Sequence, residues 1–186
     1  MHKDTIKNSI REDASEEFDI LFPERFIKNT DYYNSLMMMY RCAIREVSTK
    51  LEVLDDEFSV KYKRNPISSI KSRIKTPLSI YNKLQRLGYE FTEQNIREQL
   101  NDVAGIRVIC SFVDDIYAVA RLLADQDDIT IIRIKDYIQN PKPNGYRSYH
   151  MIIEIPVFFA EGKTPIRAEI QIRTIGMDFW ASLEHQ

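Results

Sequence analysis

The tightest constraint on the fold is the alternation in residues 166–174, IRAEIQIRT. In an extended chain, Arg167, Glu169, Gln171 and Arg173 share one face, and Ala168, Ile170 and Ile172 share the other. The segment reads as a strand whose apolar side needs covering. Its four-residue polar side is either solvent-exposed or the floor of a polar site.

Further extended segments follow from the same rule. Ser69 to Lys75 alternates, with Lys71, Arg73 and Lys75 on one face and Ile70 and Ile74 on the other. Val103 to Phe112 reads as a buried strand, with Asp102 at its start and Arg107 inside it. An arginine in such a run is costly unless it is paired or faces a ligand. Ile129 to Ile134 and Ser148 to Phe159 complete the set. EGKTP, ahead of Ile166, reads as a hairpin connection.

Helices are expected between several of these strands. Tyr33, Met37, Tyr40, Ile44, Val47, Leu51, Leu54 and Phe58 form one stripe with a period of 3.5, so a long helix begins at Asp31. Such a stripe packs on the domain or on a partner helix. Thr76-Pro77 starts a second helix, with Thr as N-cap and Pro in the first turn, and Gly88 stops it. Ser79 and Lys83 lie on one face of that helix, and Ile80, Leu84 and Leu87 on the other. Thr92 caps a short helix through Leu100, Asp114 to Ala124 is amphipathic, and Gly176 to Gln186 begins a last helix. The expectation is α/β or α+β: a five-stranded mixed sheet flanked by helices, with a long N-terminal helix. Residues 1–30 read as a tail with a short helix, and residues 31–186 as one domain whose C-terminal helical region is cut short.

Charge is unevenly placed. The net charge is -2, which argues against coating of duplex nucleic acid and leaves room for a local basic site, single-stranded RNA included. Yet Ser59 to Tyr89 holds eight Lys or Arg and no acid. Arg73 and Lys75 end a strand where a helix begins, a junction that attracts phosphate. A second concentration is Lys135 to His150, KDYIQNPKPNGYRSYH, with two Lys, one Arg, three Tyr and one His. Pro141, Pro143 and Gly145 shape this loop, which is suited to gripping phosphates and stacking a flat ring. Cys42 and Cys110 fit reduced, buried thiols in a cytoplasmic protein, and no apolar run is long enough to span a membrane. His2 and His185 carry no visible role.

Two acids, Asp102 and Glu169, stand near strands rather than in charge runs. Carboxylates with Lys/Arg clamps suit magnesium-dependent phosphoryl chemistry, the acids holding the metal and the cations neutralising phosphate. There is no Walker A loop, kinase Gly-rich loop, His/Cys metal spacing or Gly-x-Ser-x-Gly elbow. Residue chemistry alone therefore reaches a nucleotide or phosphate site and stops there.

Four blocks carry a resemblance. RIKTPLSIYNKL, DVAGIRVIC, KDYIQNPKPNGYRSYH and EIQIRTIGMDFWASLEH, in that order, closely resemble the synthetase domain of RelA/SpoT-type alarmone enzymes, over about Asp31 to the end. With no His-Asp hydrolase domain ahead and no room for regulatory domains behind, the chain looks like a stand-alone small alarmone synthetase. It resembles the zinc-sensitive RelP-type branch more than the RelQ-type branch. The resemblance implies a nucleotidyltransferase-like fold and a GTP pyrophosphokinase. That enzyme moves the β,γ-diphosphate of ATP to the 3′-hydroxyl of GTP or GDP, giving AMP and pppGpp or ppGpp in the stringent response. Carried over by residue, Arg73, Lys75, Ser79, Lys83 and Arg107 bind ATP. Asp102 and Glu169 are catalytic and hold Mg2+, Glu169 also activating the 3′-hydroxyl. Tyr146 stacks on guanine, and Lys135, Lys142, Asn144, His150 and Gln171 complete the acceptor pocket. A homotetramer is the family expectation. The competing expectation is a nucleotide- or RNA-binding regulator that lost the chemistry, against which both acids speak.

Overall fold

The structure, a computed structural model, describes residues 30–183. The tail and short helix expected within residues 1–30, His2 and His185 lie outside the described residues. The chain divides into two compact units, Met1–Met38 and Met39–Gln186. The described part of the first is the opening of helix α1, Thr30–Tyr62; the remainder of α1 belongs to the second.

Within the second unit, Tyr40, Ile44, Val47, Leu51 and Leu54 are buried, as the stripe requires. The helix is also tied by polar contacts. Asp55 accepts from the backbone of Ile67 (3.1 Å) and from Asn65 (2.8 Å), and Lys50 pairs with Asp128 at 2.7 Å.

Five strands form one sheet: β1 Ile67–Ile74, β2 Ala104–Cys110, β3 Thr130–Asp136, β4 Tyr149–Phe159 and β5 Gly162–Thr174. Their order is β1-β2-β5-β4-β3. β2 and β5 run parallel and the other pairs antiparallel, so the mixed sheet is as expected. The parallel pair lies at the centre, where Ile106, Val108, Ile170 and Ile172 are buried. Four helices connect or follow the strands: α2 Pro77–Leu87, α3 Glu93–Gln99, α4 Val113–Ala124 and α5 Ile175–Leu183. α4 packs on β2 and β5 through Ile116, Val119, Ala120 and Leu123.

Local signals act where the sequence put them. Thr76 is the N-cap of α2, its hydroxyl accepting from Ser79 N at 3.3 Å, with Pro77 in the first turn. Gly88 closes the helix at φ 80, a conformation that favours glycine. Thr92 caps α3 in the same way.

Three details differ from expectation. EGKTP is not a loop, because β5 already begins at Gly162 and pairs with Phe159 across a two-residue turn. Continuing the hairpin ladder satisfies backbone groups that a loop would leave to water. Leu87 is 47% exposed rather than buried with Ile80 and Leu84, as it stands in the last turn of α2, next to the Gly88 cap. Cys110 is buried but Cys42 is only half-buried; neither is in a disulfide.

Candidate active site

Strand register builds the site. Lys71 pairs with Arg107, Arg107 with Gln171, Gln171 with His150, and His150 with Lys135. Directly paired residues point to the same side of a sheet. One polar row therefore crosses all five strands on the face that carries Glu169. Beside it, Arg73 pairs with Gly105 and Gly105 with Glu169. A cavity of about 130 Å³ opens over this row, lined in part by Lys71, Arg73, Asp102, Arg107, Glu169 and Gln171. Gly105 contributes no side chain to fill it.

Asp102 sits just before β2, on the β1–α2 side. Lys75 donates to its Oδ2 at 2.9 Å, and Lys83 Nζ lies 2.7 Å from Oδ1. Lys83 is thus the ion-pair partner of the buried Oδ1, as Lys75 is of Oδ2. Burial pushes the Asp102 pKa up, but the ammonium groups of Lys83 and Lys75 outweigh it and the net shift is downward.

Glu169 has a different set of partners. His150 Nδ1 lies 3.2 Å from Oε1, and Gln171 Nε2 donates to Oε2 at 3.1 Å. Burial and the charge of Asp102 raise its pKa, yet His150 and Gln171 prevail and the net shift is downward. The two carboxylates thus feel each other's charge across one cavity. Among the described residues there is no cluster of three or more His, Cys, Asp or Glu that could hold a metal. Magnesium needs less from a protein, because it takes one or two carboxylates and completes its shell with phosphate and water. Two acids on one cavity, both held ionised by a lowered pKa, fit it.

The donor-side residues are not gathered into one cavity. Arg73 and Arg107 line the first, whereas Lys75, Ser79 and Lys83 line a second beside α2, with Asn82 and Arg86. The lysines, both bound to Asp102, join the two spaces. Ser79 spends its hydroxyl locally, accepting from Thr76 Oγ1 at 2.8 Å.

The loop after β3 is held open by local chemistry. Tyr137 N donates to Ser148 O at 3.0 Å and closes its neck. Gly145 N donates to Lys142 O at 2.8 Å, a tight turn with Pro143 at its second position. Gly145, at φ 81, packs against the Trp180 ring of α5. Asn144 accepts from Tyr146 N at 3.3 Å and so shapes the turn. Tyr146 then meets His150 and Tyr137 edge-on, with centroids 5.9 and 6.0 Å apart, while Lys142 Nζ lies 4.8 Å from its ring centre. Lys142, Tyr146 and His150 form one cluster, Gln171 joins them to Glu169, and Lys135 stands across from His150.

Several members of the site escaped sequence reasoning. Lys71 lines the cavity, Tyr137 belongs to the ring cluster, and Arg173 contacts Tyr146, Gln171 and Asp178. Arg173 had a signal, its place on the polar face of β5. Arg167, on the same face, serves elsewhere: it donates to the carbonyl of Glu98 at 2.8 Å and secures the end of α3. Asp178 bridges Arg107 and Arg173, at 3.2 Å to each, and no local pattern announced it.

Known proteins share this chain's sequence pattern and fold. Residues 72–186 match the model described as "Region found in RelA / SpoT proteins". GTP pyrophosphokinase YwaC of Bacillus subtilis is 49% identical over 156 residues, covering 84% of this chain and 74% of that protein. The crystal structure of small alarmone synthetase 2 from Bacillus subtilis superposes with a TM-score of 0.73 at 48% identity, covering 83% of this chain and 78% of the other. That of small alarmone synthetase 1 from the same organism, bound to its product pppGpp, does so with a TM-score of 0.76 at 34% identity, with the same coverage. In sequence and in fold alike, the chain belongs to the RelA/SpoT family, among its small alarmone synthetases.

Proposed function

We propose that this chain is a GTP pyrophosphokinase that transfers the β,γ-diphosphate of ATP to the 3′-hydroxyl of GTP or GDP, leaving AMP. The observation that carries the reading is the polar row across the sheet, with Asp102 and Glu169 between a cationic side and an aromatic side. YwaC is named for this activity, and a relative's structure holds pppGpp.

The roles follow from placement. Arg73, Lys75 and Lys83 converge where β1 ends and α2 begins, and neutralise the donor polyphosphate. Ser79 stands at the same helix start, and Arg107 faces the donor from β2. On the other side Tyr146 offers its ring to guanine, with Lys135, Lys142, Asn144, His150 and Gln171 around the acceptor. Glu169 takes a hydrogen bond from the 3′-hydroxyl and receives its proton as the new P–O bond forms. A magnesium ion held by Asp102 and Glu169 would neutralise charge on the transferring phosphoryl groups. Before substrate arrives, Lys75 and Lys83 are occupied by Asp102, so the polyphosphate competes with a carboxylate for them. That exchange keeps two partly buried ammonium groups paired at each stage.

The direct test supplies magnesium, γ-labelled ATP and unlabelled GTP, and resolves the nucleotides. Label in a guanosine nucleotide, with AMP formed in equal amount, is expected. Label only in inorganic phosphate, or none transferred, would overturn the reading in favour of a binding protein.

A narrower expectation concerns Lys83. Lys83→Ala should raise the KM for ATP by about 10-fold or more, since charge-assisted hydrogen bonds contribute roughly 1.5–3 kcal/mol, while the KM for GTP changes little. Steady-state kinetics with each nucleotide varied in turn decides this, and an effect confined to GTP would mean that the two sides are exchanged.

Assembly as a homo-oligomer, a tetramer on the family pattern, is supported by exposed Val53, Val60, Phe179 and Leu183. A monomeric mass by light scattering would contradict it. A cytoplasmic location agrees with two cysteines that form no disulfide. No described helix is long and apolar enough to cross a membrane.

A further inference from the structure

Arg173 is 4% exposed, yet the roles assigned so far give it nothing to do. A buried guanidinium needs partners, and each of this one's three nitrogens has at least one. Its Nε donates to Ser148 Oγ at 3.3 Å and its Nη1 to Asp178 Oδ1 at 3.2 Å. Its Nη2 donates twice, to Tyr146 OH at 2.6 Å and to Gln171 Oε1 at 2.8 Å.

Arginine can only donate, so the Tyr146 hydroxyl and the Gln171 carbonyl each accept from it. In one arm the Tyr146 oxygen accepts from Arg173, and its hydroxyl lies 2.9 Å from His150 Nε2, to which it can donate its own hydrogen bond. When it does, Nε2 is the acceptor and the imidazole proton sits on Nδ1, which faces Glu169 Oε1 at 3.2 Å. In the other arm Gln171 accepts from Arg173 with its carbonyl oxygen. This turns the amide nitrogen to Glu169 Oε2, at 3.1 Å. Two chains of donors leave one nitrogen and end on the two oxygens of one carboxylate.

From this closed ring we infer that Arg173 is a positioning residue for Glu169. It sets the tautomer of His150 and the amide orientation of Gln171, and through them the plane that the carboxylate presents to the acceptor hydroxyl. The inference rests on the function proposed above and deepens it. Tyr146 is a link in the first arm, so the loop that receives the acceptor and the carboxylate that activates it are mechanically one unit. Asp178 supplies the counter-charge that lets Arg173 stay buried. Because it also binds Arg107, it anchors the ring to the donor side.

A purely structural Arg173, neutralised by Asp178, would hold the fold together without fixing the His150 tautomer. The two cases separate by nitrogen NMR of the imidazole together with kinetics. In the parent, the neutral imidazole of His150 should report Nδ1–H with a bare Nε2. Tyr146→Phe, which removes the bridging oxygen alone, should bring in the Nε2–H tautomer. It should also lower kcat by about 10- to 100-fold, the usual cost of losing an orienting partner, while the KM for GTP stays within about twofold. Arg173→Lys, which keeps the charge but loses the fork, should do the same if it folds. An Nε2–H tautomer in the parent, or parental kcat in folded Tyr146→Phe, overturns the proposal. If the parent itself transfers no diphosphate, the functional reading fails, while the imidazole spectrum still judges the ring.

Discussion

Glu169→Gln should lower kcat for diphosphate transfer by about 10²–10⁴-fold, the range carried by a general base, with the circular dichroism spectrum unchanged. The substitution keeps the shape of the side chain, and an amide oxygen can still accept from His150 or Gln171. What disappears is the negative charge and the ability to take a proton. The free carboxylate has a lowered pKa because His150 and Gln171 outweigh burial and Asp102, so it is ionised but weakly basic. Bound polyphosphate adds negative charge nearby, which moves the pKa up, toward the range a base needs. Asp102→Asn should cost at least about 10²-fold, as for the loss of one electrostatic stabiliser. It removes a ligand oxygen and also leaves Lys75 and Lys83 without their shared counter-ion. The assay is labelled-diphosphate transfer under saturating nucleotides. Near-parental turnover in either folded variant would remove that acid from the chemistry.

Tyr146→Ala should weaken GTP binding roughly 5- to 150-fold, which corresponds to the ~1–3 kcal/mol typical of aromatic–base stacking. The ring is presented on a turn stiffened by Pro143, with Gly145 packed on Trp180, so little order remains to be gained on binding. Lys142 lies beside the same ring at 4.8 Å and supplies positive charge for the acceptor's phosphates. ATP affinity should barely move, because the donor cations lie toward β1 and α2. Calorimetry with each nucleotide alone reads both values. A folded Ala variant that binds GTP as tightly as the parent would make Tyr146 a packing residue and place guanine elsewhere.

The sequence by itself determined whatever depends on neighbours along the chain. Thr76, Pro77 and Gly88 bound α2 because capping and left-handed turns act over three or four residues. The two-residue period of 166–174 put Glu169, Gln171 and Arg173 on one face, and the 3.5-residue stripe fixed α1. The cationic β1–α2 junction and the ring-bearing loop were visible for the same reason. The RelA/SpoT resemblance then supplied substrates, which spacing could not.

Only the tertiary structure decided how those pieces meet. The parallel pairing of β2 with β5 joins segments more than sixty residues apart, and its register puts Arg107 beside Gln171. Contacts of that range leave no periodic trace. Asp178 looked like an ordinary helix residue until folding set it between two arginines from different strands. Arg167 and Arg173 were equivalent by alternation, yet one fastens α3 and the other feeds Glu169. Alternation says which side of a strand a residue faces. The long-range packing around each position decides what waits there, because hydrogen bonds form only between groups that the whole fold brings within about 3 Å.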